Sequence, residues 1–128
     1  MKRLGLAATL TTLAACTAAA ATEPEYRALP IPQHAFAVPQ GIFSEQMAGF
    51  PEGREGRQKL ELDVEKLADG SYFVLLRRTG LLDDSVEGEE RRAIMEWSGS
   101  GWRAVELGER WRCYRGRGSG KWTIERCA

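Results

Sequence analysis

The sequence predicts a mainly β fold, a small antiparallel meander of about six strands that curls into a barrel or sandwich, with a short helical turn at its N-terminal end. Two observations carry this prediction. From residue 59 onward apolar side chains recur with a period of two, and turn signals containing glycine separate the apolar stretches. After Pro51 no segment has the apolar spacing of a helix longer than a few turns.

The first elements are a helical turn and a hairpin. Residues 42–50 carry apolar side chains on one helical face, namely Ile42, Phe43, Met47 and Phe50. Apolar and acidic residues then alternate over residues 60–65, which is typical of a half-buried strand. Asp69-Gly70 predicts a type I′ turn, because that turn needs a positive φ at both central residues.

The register of this first hairpin follows from the turn. A two-residue turn centred on Asp69-Gly70 places Val64 opposite Leu75. Phe73 and Leu75 are then expected on the same face as the apolar residues of the first strand, which are Leu60, Leu62 and Val64.

Two further hairpins complete the predicted meander. Residues 93–97 and 102–106 flank Gly99-Ser100, which suits a type II′ turn. This register pairs Trp97 with Trp102, Glu96 with Arg103 and Ile94 with Val105. Residues 110–114 and 121–125 are predicted to form the last hairpin, around a glycine-rich loop at residues 116–120.

The first sixteen residues carry an export signal that ends in a cysteine. Residues 1–3 are basic at positions 2 and 3, and the apolar run over residues 4–13 is too short to cross a bilayer. The stretch Leu13-Ala14-Ala15-Cys16 resembles the lipobox of bacterial lipoproteins. The resemblance covers these residues only, and it implies that Cys16 is acylated after residues 1–15 are removed. Alternatively, cleavage within the alanines at 18–21 would release a soluble periplasmic or secreted protein.

The lipobox resemblance also implies a location and a membrane partner. Several acyl chains, palmitate among them, would anchor the protein to the cell envelope, since a single chain binds only marginally. Thr17 stands where an Asp commonly retains lipoproteins in the inner membrane of enterobacteria. In a Gram-negative host the resemblance therefore favours the periplasmic face of the outer membrane. Residues 16–41, rich in Ala and Pro, are expected to be a flexible tether before a single small β domain at residues 42–128.

The three cysteines are consistent with export. Lipidation of Cys16 leaves Cys113 and Cys127, and two cysteines in an oxidising compartment are expected to form a disulfide. A zinc site lacks ligands, because the one histidine, His34, lies in the Pro-rich segment. A redox pair is disfavoured because Cys-x-x-Cys spacing is absent.

The best candidate for a binding site is the aromatic and basic segment at residues 110–122. Arg115 and Arg117 combine guanidinium groups with neighbouring glycine amides, which suits phosphate or carboxylate. Trp111, Trp122 and Tyr114 could stack on sugars, or alternatively fill the core with arginines at its rim. An exported chain has little contact with nucleic acid, so an acidic envelope partner is expected.

The sequence predicts no metal site, no cofactor and no catalytic site. One acidic run offers oxygen ligands without EF-hand spacing and is typical of a solvated loop: Asp83, Asp84, Glu87, Glu89 and Glu90. No nucleophile elbow, zinc-protease motif or phosphate-binding glycine loop occurs. A pair of carboxylates could hydrolyse a glycoside, but nothing singles out two of them.

These observations predict a non-catalytic envelope lipoprotein that acts as a binding or assembly module at the periplasmic face. Its expected partners are the membrane, through the lipid anchor, and an envelope protein or an anionic glycan or lipid. The alternative is an inhibitor of a lysozyme-like hydrolase or a protease, because small disulfide-containing β lipoproteins that inhibit lysozyme are similar in size, anchor and class. An enzyme acting on the cell wall is a third and weaker hypothesis.

Overall fold

The computed structural model describes residues 25–50 and 58–128. A 3₁₀ turn over Pro39–Phe43 runs into a short helix, α1, over Ser44–Ala48. Six antiparallel strands form one sheet: β1 Arg27–Ala28, β2 Lys59–Lys66, β3 Tyr72–Thr79, β4 Val86–Trp97, β5 Trp102–Cys113 and β6 Trp122–Thr123. The predicted mainly β meander with a short N-terminal helical turn is confirmed.

The sheet formed by the described strands is open. Its order is β1-β5-β4-β3-β2, and β6 also pairs with β5, so β2 forms one edge while β1 and β6 share the other. The expected closure into a barrel is therefore not seen, and these strands form one sheet where a sandwich needs two. The 3₁₀ turn and α1 cover the apolar face instead, because Phe43 packs there.

One long strand replaces two predicted strands. The expected strands at residues 102–106 and 110–114 are both part of β5, which continues through Gly108. A Cβ at Gly108 would lie 3.0 Å from the Cβ of Tyr26. Glycine therefore stands here because Tyr26 and the carbonyl of Arg27 pack closely against residue 108, and not because the strand ends there.

The first hairpin turn is one residue longer than the predicted type I′ turn. Leu67 donates its N–H to the carbonyl of Ser71 at 2.8 Å, and its own carbonyl accepts the N–H of Gly70 at 3.0 Å. Gly70 has a φ of 88°, whereas Asp69 has no positive φ. A three-residue loop that ends in a glycine of positive φ is the G1-bulge arrangement.

The longer loop shifts the register of the hairpin by one residue. Val64 pairs with Val74, and not with Leu75 as predicted. Because side chains alternate between faces, the apolar side of β2 therefore faces the same way as Val74 and Leu76, and the predicted placement of Phe73 and Leu75 on that face is wrong.

The second hairpin follows the prediction at its tip and departs from it further along. Trp97 pairs with Trp102. Gly99 has a φ of 92° and Ser100 has no positive φ, as a type II′ turn requires. A β-bulge between Ile94 and Met95 then moves the partner of Ile94 from the predicted Val105 to Glu106.

The core lies between this sheet and the N-terminal segment. Five buried strand residues pack with Phe43, which is 1% exposed: Val74, Leu76, Ala93, Met95 and Ala104. Phe36 forms two backbone hydrogen bonds of 2.8 Å with Trp102, and β1 pairs with β5. The described part of the expected tether, residues 25–41, therefore lies against the sheet. Residues 16–24 of that tether, the lipobox and Cys16 fall outside the described residues.

The acidic run is divided between a loop and a strand. Glu87, Glu89 and Glu90, expected in a solvated loop, lie on β4. Asp83 precedes the strand and accepts the N–H groups of Ser85 at 2.8 Å and Val86 at 2.7 Å. Burial is complete at Glu90, which is 0% exposed, so the solvated interpretation is wrong for this residue.

Candidate functional site

A disulfide fixes the base of the last loop of the chain. Cys113, the final residue of β5, is bonded to Cys127 with 5.5 Å between the two Cα atoms, which confirms the predicted bridge. A Cβ at Gly118 would lie 2.8 Å from the Sγ of Cys113. The loop therefore folds directly over the disulfide, and it can do so because residue 118 has no side chain.

Hydrogen bonds hold the loop at several further points. Tyr114 donates its hydroxyl to the carbonyl of Leu81 at 2.6 Å and its N–H to the carbonyl of Ser85 at 2.7 Å. The carbonyl of Tyr114 accepts the N–H of Arg117 at 2.9 Å, and the carbonyl of Arg117 accepts the N–H of Ala128 at 2.7 Å. Tyr114, predicted to stack on a ligand or fill the core, thus ties this loop to the segment before β4.

A cavity of about 440 Å³ opens beside the loop, and we call it the loop cavity. Its lining consists of Glu87, Arg112, Cys113, Tyr114, Arg115, Gly118, Ser119 and Gly120. The sequence pattern pointed to Tyr114 and Arg115, and Arg112 lies within the candidate segment at residues 110–122. It did not point to Glu87, which belongs to β4, a strand that no local pattern connects to the loop.

The arginines of the sheet and the loop differ in their partners. Arg112 donates its Nε–H to Glu87 Oε2 at 2.7 Å, and other strand arginines such as Arg77 and Arg78 also pair with glutamates. Arg115 and Arg117 are exposed and take part in none of the ion pairs between described residues. Arg115 lines the loop cavity, while Arg117 lies on the same loop outside that lining.

The two candidate tryptophans stand on opposite faces of the sheet. Trp111 pairs with Thr123, and Trp122 pairs with the neighbouring Arg112, so their side chains point in opposite directions. Trp111 donates its Nε1–H to the carbonyl of Glu125 at 2.7 Å. Both rings are half-buried, and neither lines the loop cavity. The structure therefore does not bring the two rings together with Arg115 into one surface.

Trp122 belongs to a layer of aromatic rings and guanidinium groups. The guanidinium carbon of Arg112 lies 4.9 Å from the centroid of the Trp122 ring, and those of Arg77 and Arg110 lie at 5.5 and 5.7 Å. Arg110 also lies 4.3 Å from the ring of Tyr26. Arginines therefore pack around the Trp122 ring, but this ring is half-buried and lies outside the hydrophobic core that the alternative interpretation assigned to it.

Glu90 is the anionic centre beneath this layer. Its carboxylate accepts the Nε–H of Arg77 at 2.8 Å, the Nε–H of Arg110 at 2.9 Å and the hydroxyl of Tyr26. Burial alone would raise the pKa of Glu90, but hydrogen bonds from Tyr26 and Arg77 and the charge of Arg110 hold that pKa below its usual range. Burial and the bond to Glu90 raise the pKa of Tyr26 to about 12. The group is a satisfied buried ion cluster.

Within residues 25–50 and 58–128, no group of three or more His, Cys, Asp or Glu side chains could hold a metal ion. In the same part of the chain, no helix has the length and apolar character needed to cross a membrane. No known protein family, curated protein or solved structure matches this chain.

Proposed function

We propose that this protein is an exported, lipid-anchored binding module of the cell envelope, without catalytic activity, which binds an acidic group of an envelope component at the loop cavity. Export is supported by the disulfide between Cys113 and Cys127, since such bonds persist in oxidising compartments. Lipid anchoring is supported by the lipobox resemblance, and the pairing of the other two cysteines leaves Cys16 as the remaining thiol.

The observation that carries the binding proposal is that Arg115 is exposed and has no ion-pair partner among the described residues. Its side chain lines the loop cavity. Arg112 and Glu87, which also line this cavity, pair with each other. The lining therefore has two positive groups and one negative group, a formal excess of one positive charge. Carboxylates and phosphates accept two parallel hydrogen bonds from a guanidinium group.

The disulfide gives this site its rigidity. A loop that is already fixed loses little conformational entropy when a ligand binds, whereas a flexible loop must be ordered at that moment. Cys113, Tyr114 and Gly118 are at once the anchors of the loop and part of the cavity lining. The residues that hold the loop in place therefore also line the proposed binding site.

Capture from bacterial envelopes tests the binding site. The full chain, produced in a bacterial host and crosslinked in place, should recover a discrete acidic component, and more of it at low than at high salt. The double variant Arg115→Ala, Arg117→Ala should lose most of this capture. Arg103→Ala is the matched control, because Arg103 is an exposed arginine at the far end of β5. Equal capture by the double variant and the wild type would contradict the assignment to the loop.

The anchor is tested separately at Cys16. Metabolic labelling with palmitate should mark the full chain and fail for Cys16→Ala, which should also move from the membrane fraction to the soluble periplasm. An unlabelled wild-type chain with its N-terminus after residue 18 would show that the signal is an ordinary secretory peptide.

A further inference from the structure

The strand β2 forms one edge of the sheet, and we call its outer side the β2 edge. Among the described strands, β2 pairs only with β3. All residues of β2 are exposed except Glu61, which is half-buried. None of them lines the loop cavity, so a partner bound at the β2 edge is independent of the function proposed above.

Every second residue of β2 directs its backbone N–H and carbonyl away from β3. Leu67 donates its N–H to the carbonyl of Ser71, and the pairing is regular from there back to Lys59. Because bonded and non-bonded pairs alternate in an antiparallel ladder, the odd-numbered residues of β2 are the ones that bond to β3. The backbone groups of the even-numbered residues therefore face the β2 edge, where an added strand can pair with them.

The same even-numbered residues carry the apolar side chains of β2. Leu60, Leu62 and Val64 are 36%, 37% and 42% exposed. Val64 pairs with Val74 and Leu62 pairs with Leu76, and both partners are buried in the core. This row therefore continues the apolar face of the sheet, and apolar side chains of an added strand would bury it further.

The odd-numbered residues give the opposite face of β2 a negative charge. Three carboxylates and one ammonium group lie there: Lys59, Glu61, Asp63 and Glu65. Lys59 pairs with Glu61 at 2.9 Å, whereas Asp63 and Glu65 take part in none of the ion pairs between described residues. Positive side chains directly opposite these carboxylates on an added strand would stabilise the pairing, and negative ones would oppose it.

These charges favour a foreign strand over a second copy of β2. Two antiparallel copies that match their apolar rows in full, with Leu62 opposite its own counterpart, place Glu61 opposite Asp63 twice. That register offers Lys59 as a positive partner for Glu65 alone, whereas a basic strand offers one to every carboxylate. We propose that the β2 edge takes up, in antiparallel orientation, an extended segment of another protein in which Lys or Arg alternates with apolar residues.

The test is an NMR titration of the full chain with a peptide of the length of β2 that alternates lysine and valine. We expect saturable shifts of β2 and β3 residues below about 1 mM peptide. N-methylation of the valines removes the N–H groups that point to β2 and should weaken binding at least about tenfold. N-methylation of the lysines, whose N–H groups point away from β2, should change binding by less than about twofold. A peptide that alternates glutamate and valine should bind at least about tenfold more weakly.

A reversal of charge on the chain makes the assignment specific. Asp63→Lys with Glu65→Lys should weaken binding of the lysine peptide at least about tenfold and should bind the glutamate peptide instead, which also shows that the variant is folded. The matched control is Glu106→Lys with Glu125→Lys, at exposed residues of β5 and of the segment after β6. It changes the net charge by the same amount and should bind the lysine peptide within about twofold of the wild type.

The proposal is overturned by equal binding of the two N-methylated peptides, by equal binding of the lysine and glutamate peptides, or by shifts that lie away from β2 and β3 or do not saturate. It is also overturned if the reversed variant binds as the control variant does, or does not take up the glutamate peptide. Shifts of β2 residues when the chain alone is concentrated, together with a dimer mass in sedimentation, would show that a second copy occupies the β2 edge and would overturn it as well.

Discussion

Glu90 is a single residue whose role depends on three distant parts of the chain. Tyr26 reaches it from the segment before β1, Arg77 from β3 and Arg110 from β5. The sequence places Glu90 at the end of an acidic run, where nothing local separates it from Glu89, whose carboxylate is 40% exposed. Its burial could not be predicted, because it is decided by residues that are 13 to 64 positions away.

Removing the charge of Glu90 should lower the free energy of unfolding. Glu90→Gln leaves Arg77 and Arg110 next to a neutral group, and unpairing a buried charge typically lowers the free energy of unfolding by about 3 kcal/mol or more. Glu89→Gln is the matched control, since its partly exposed pair with Arg78 should contribute less than about 1 kcal/mol. Urea denaturation of both variants measures the difference, and equal losses would show that the cluster does not stabilise the fold.

The same residue predicts an acid dependence of stability. The pKa of Glu90 in the folded protein lies below its ordinary value of 4.5, so the unfolded chain binds the proton more readily. The stabilisation from this group is therefore complete above that ordinary value and is lost as pH falls through the lower folded pKa. The free energy of unfolding of the wild type should fall more steeply below about pH 4.5 than that of Glu90→Gln. Parallel pH profiles would contradict the assignment.

At the scale of secondary-structure elements, the sequence predicted the positions of the hairpins better than their turn lengths and strand registers. Alternation of apolar residues and glycine-containing turns located β2, β3 and the tip of the β4–β5 hairpin, because these signals are local. The identity Asp69-Gly70 could not distinguish a two-residue turn from a three-residue loop, since both end in a glycine of positive φ. That one residue decided the register of the whole first hairpin.

The loop of the first hairpin depends on the left-handed conformation of Gly70. Its φ of 88° is unfavourable for any residue with a Cβ, so Gly70→Ala should lower the free energy of unfolding by about 1 kcal/mol or more. Gly49→Ala is the control, because Gly49 has a φ of −83° and an added Cβ would make an ordinary contact of 3.5 Å with the Glu45 carbonyl. Thermal denaturation compares the two, and an unaffected Gly70→Ala would show that the turn adapts without strain.

The disulfide stabilises the last loop as an element. The chain-entropy model gives about 3 kcal/mol for a bridge that closes a loop of this size, the two cysteines being 14 positions apart. We expect Cys113→Ser with Cys127→Ser to lose about this amount in urea denaturation, and to weaken capture at the loop cavity. Reduction of the wild type should reproduce the loss and should leave the double variant unchanged. A double variant as stable as the oxidised wild type would show that the bridge contributes little.

At the scale of the whole molecule, the N-terminal segment completes the fold. The sequence predicted a tether as far as residue 41, because prolines and few large apolar residues are typical of linkers. In the structure this segment supplies β1, the hydroxyl that reaches Glu90 and the backbone bonds between Phe36 and Trp102. These contacts join residues more than 60 positions apart, and no periodic pattern encodes them.

Two shortened chains test whether this segment is part of the folded unit. A chain beginning at residue 25 keeps every contact described above and should unfold at the urea midpoint of the longer protein. A chain beginning at residue 42 loses β1 and Phe36, and it leaves one bond of the buried Glu90 unmade. Unpaired buried groups and lost strand pairing should together lower its free energy of unfolding by about 3 kcal/mol or more.

Equal urea midpoints for the two chains would mean that residues 25–41 act only as a spacer. A large difference would show that residues 25–41 belong to the folded unit, because the two chains differ only in this segment.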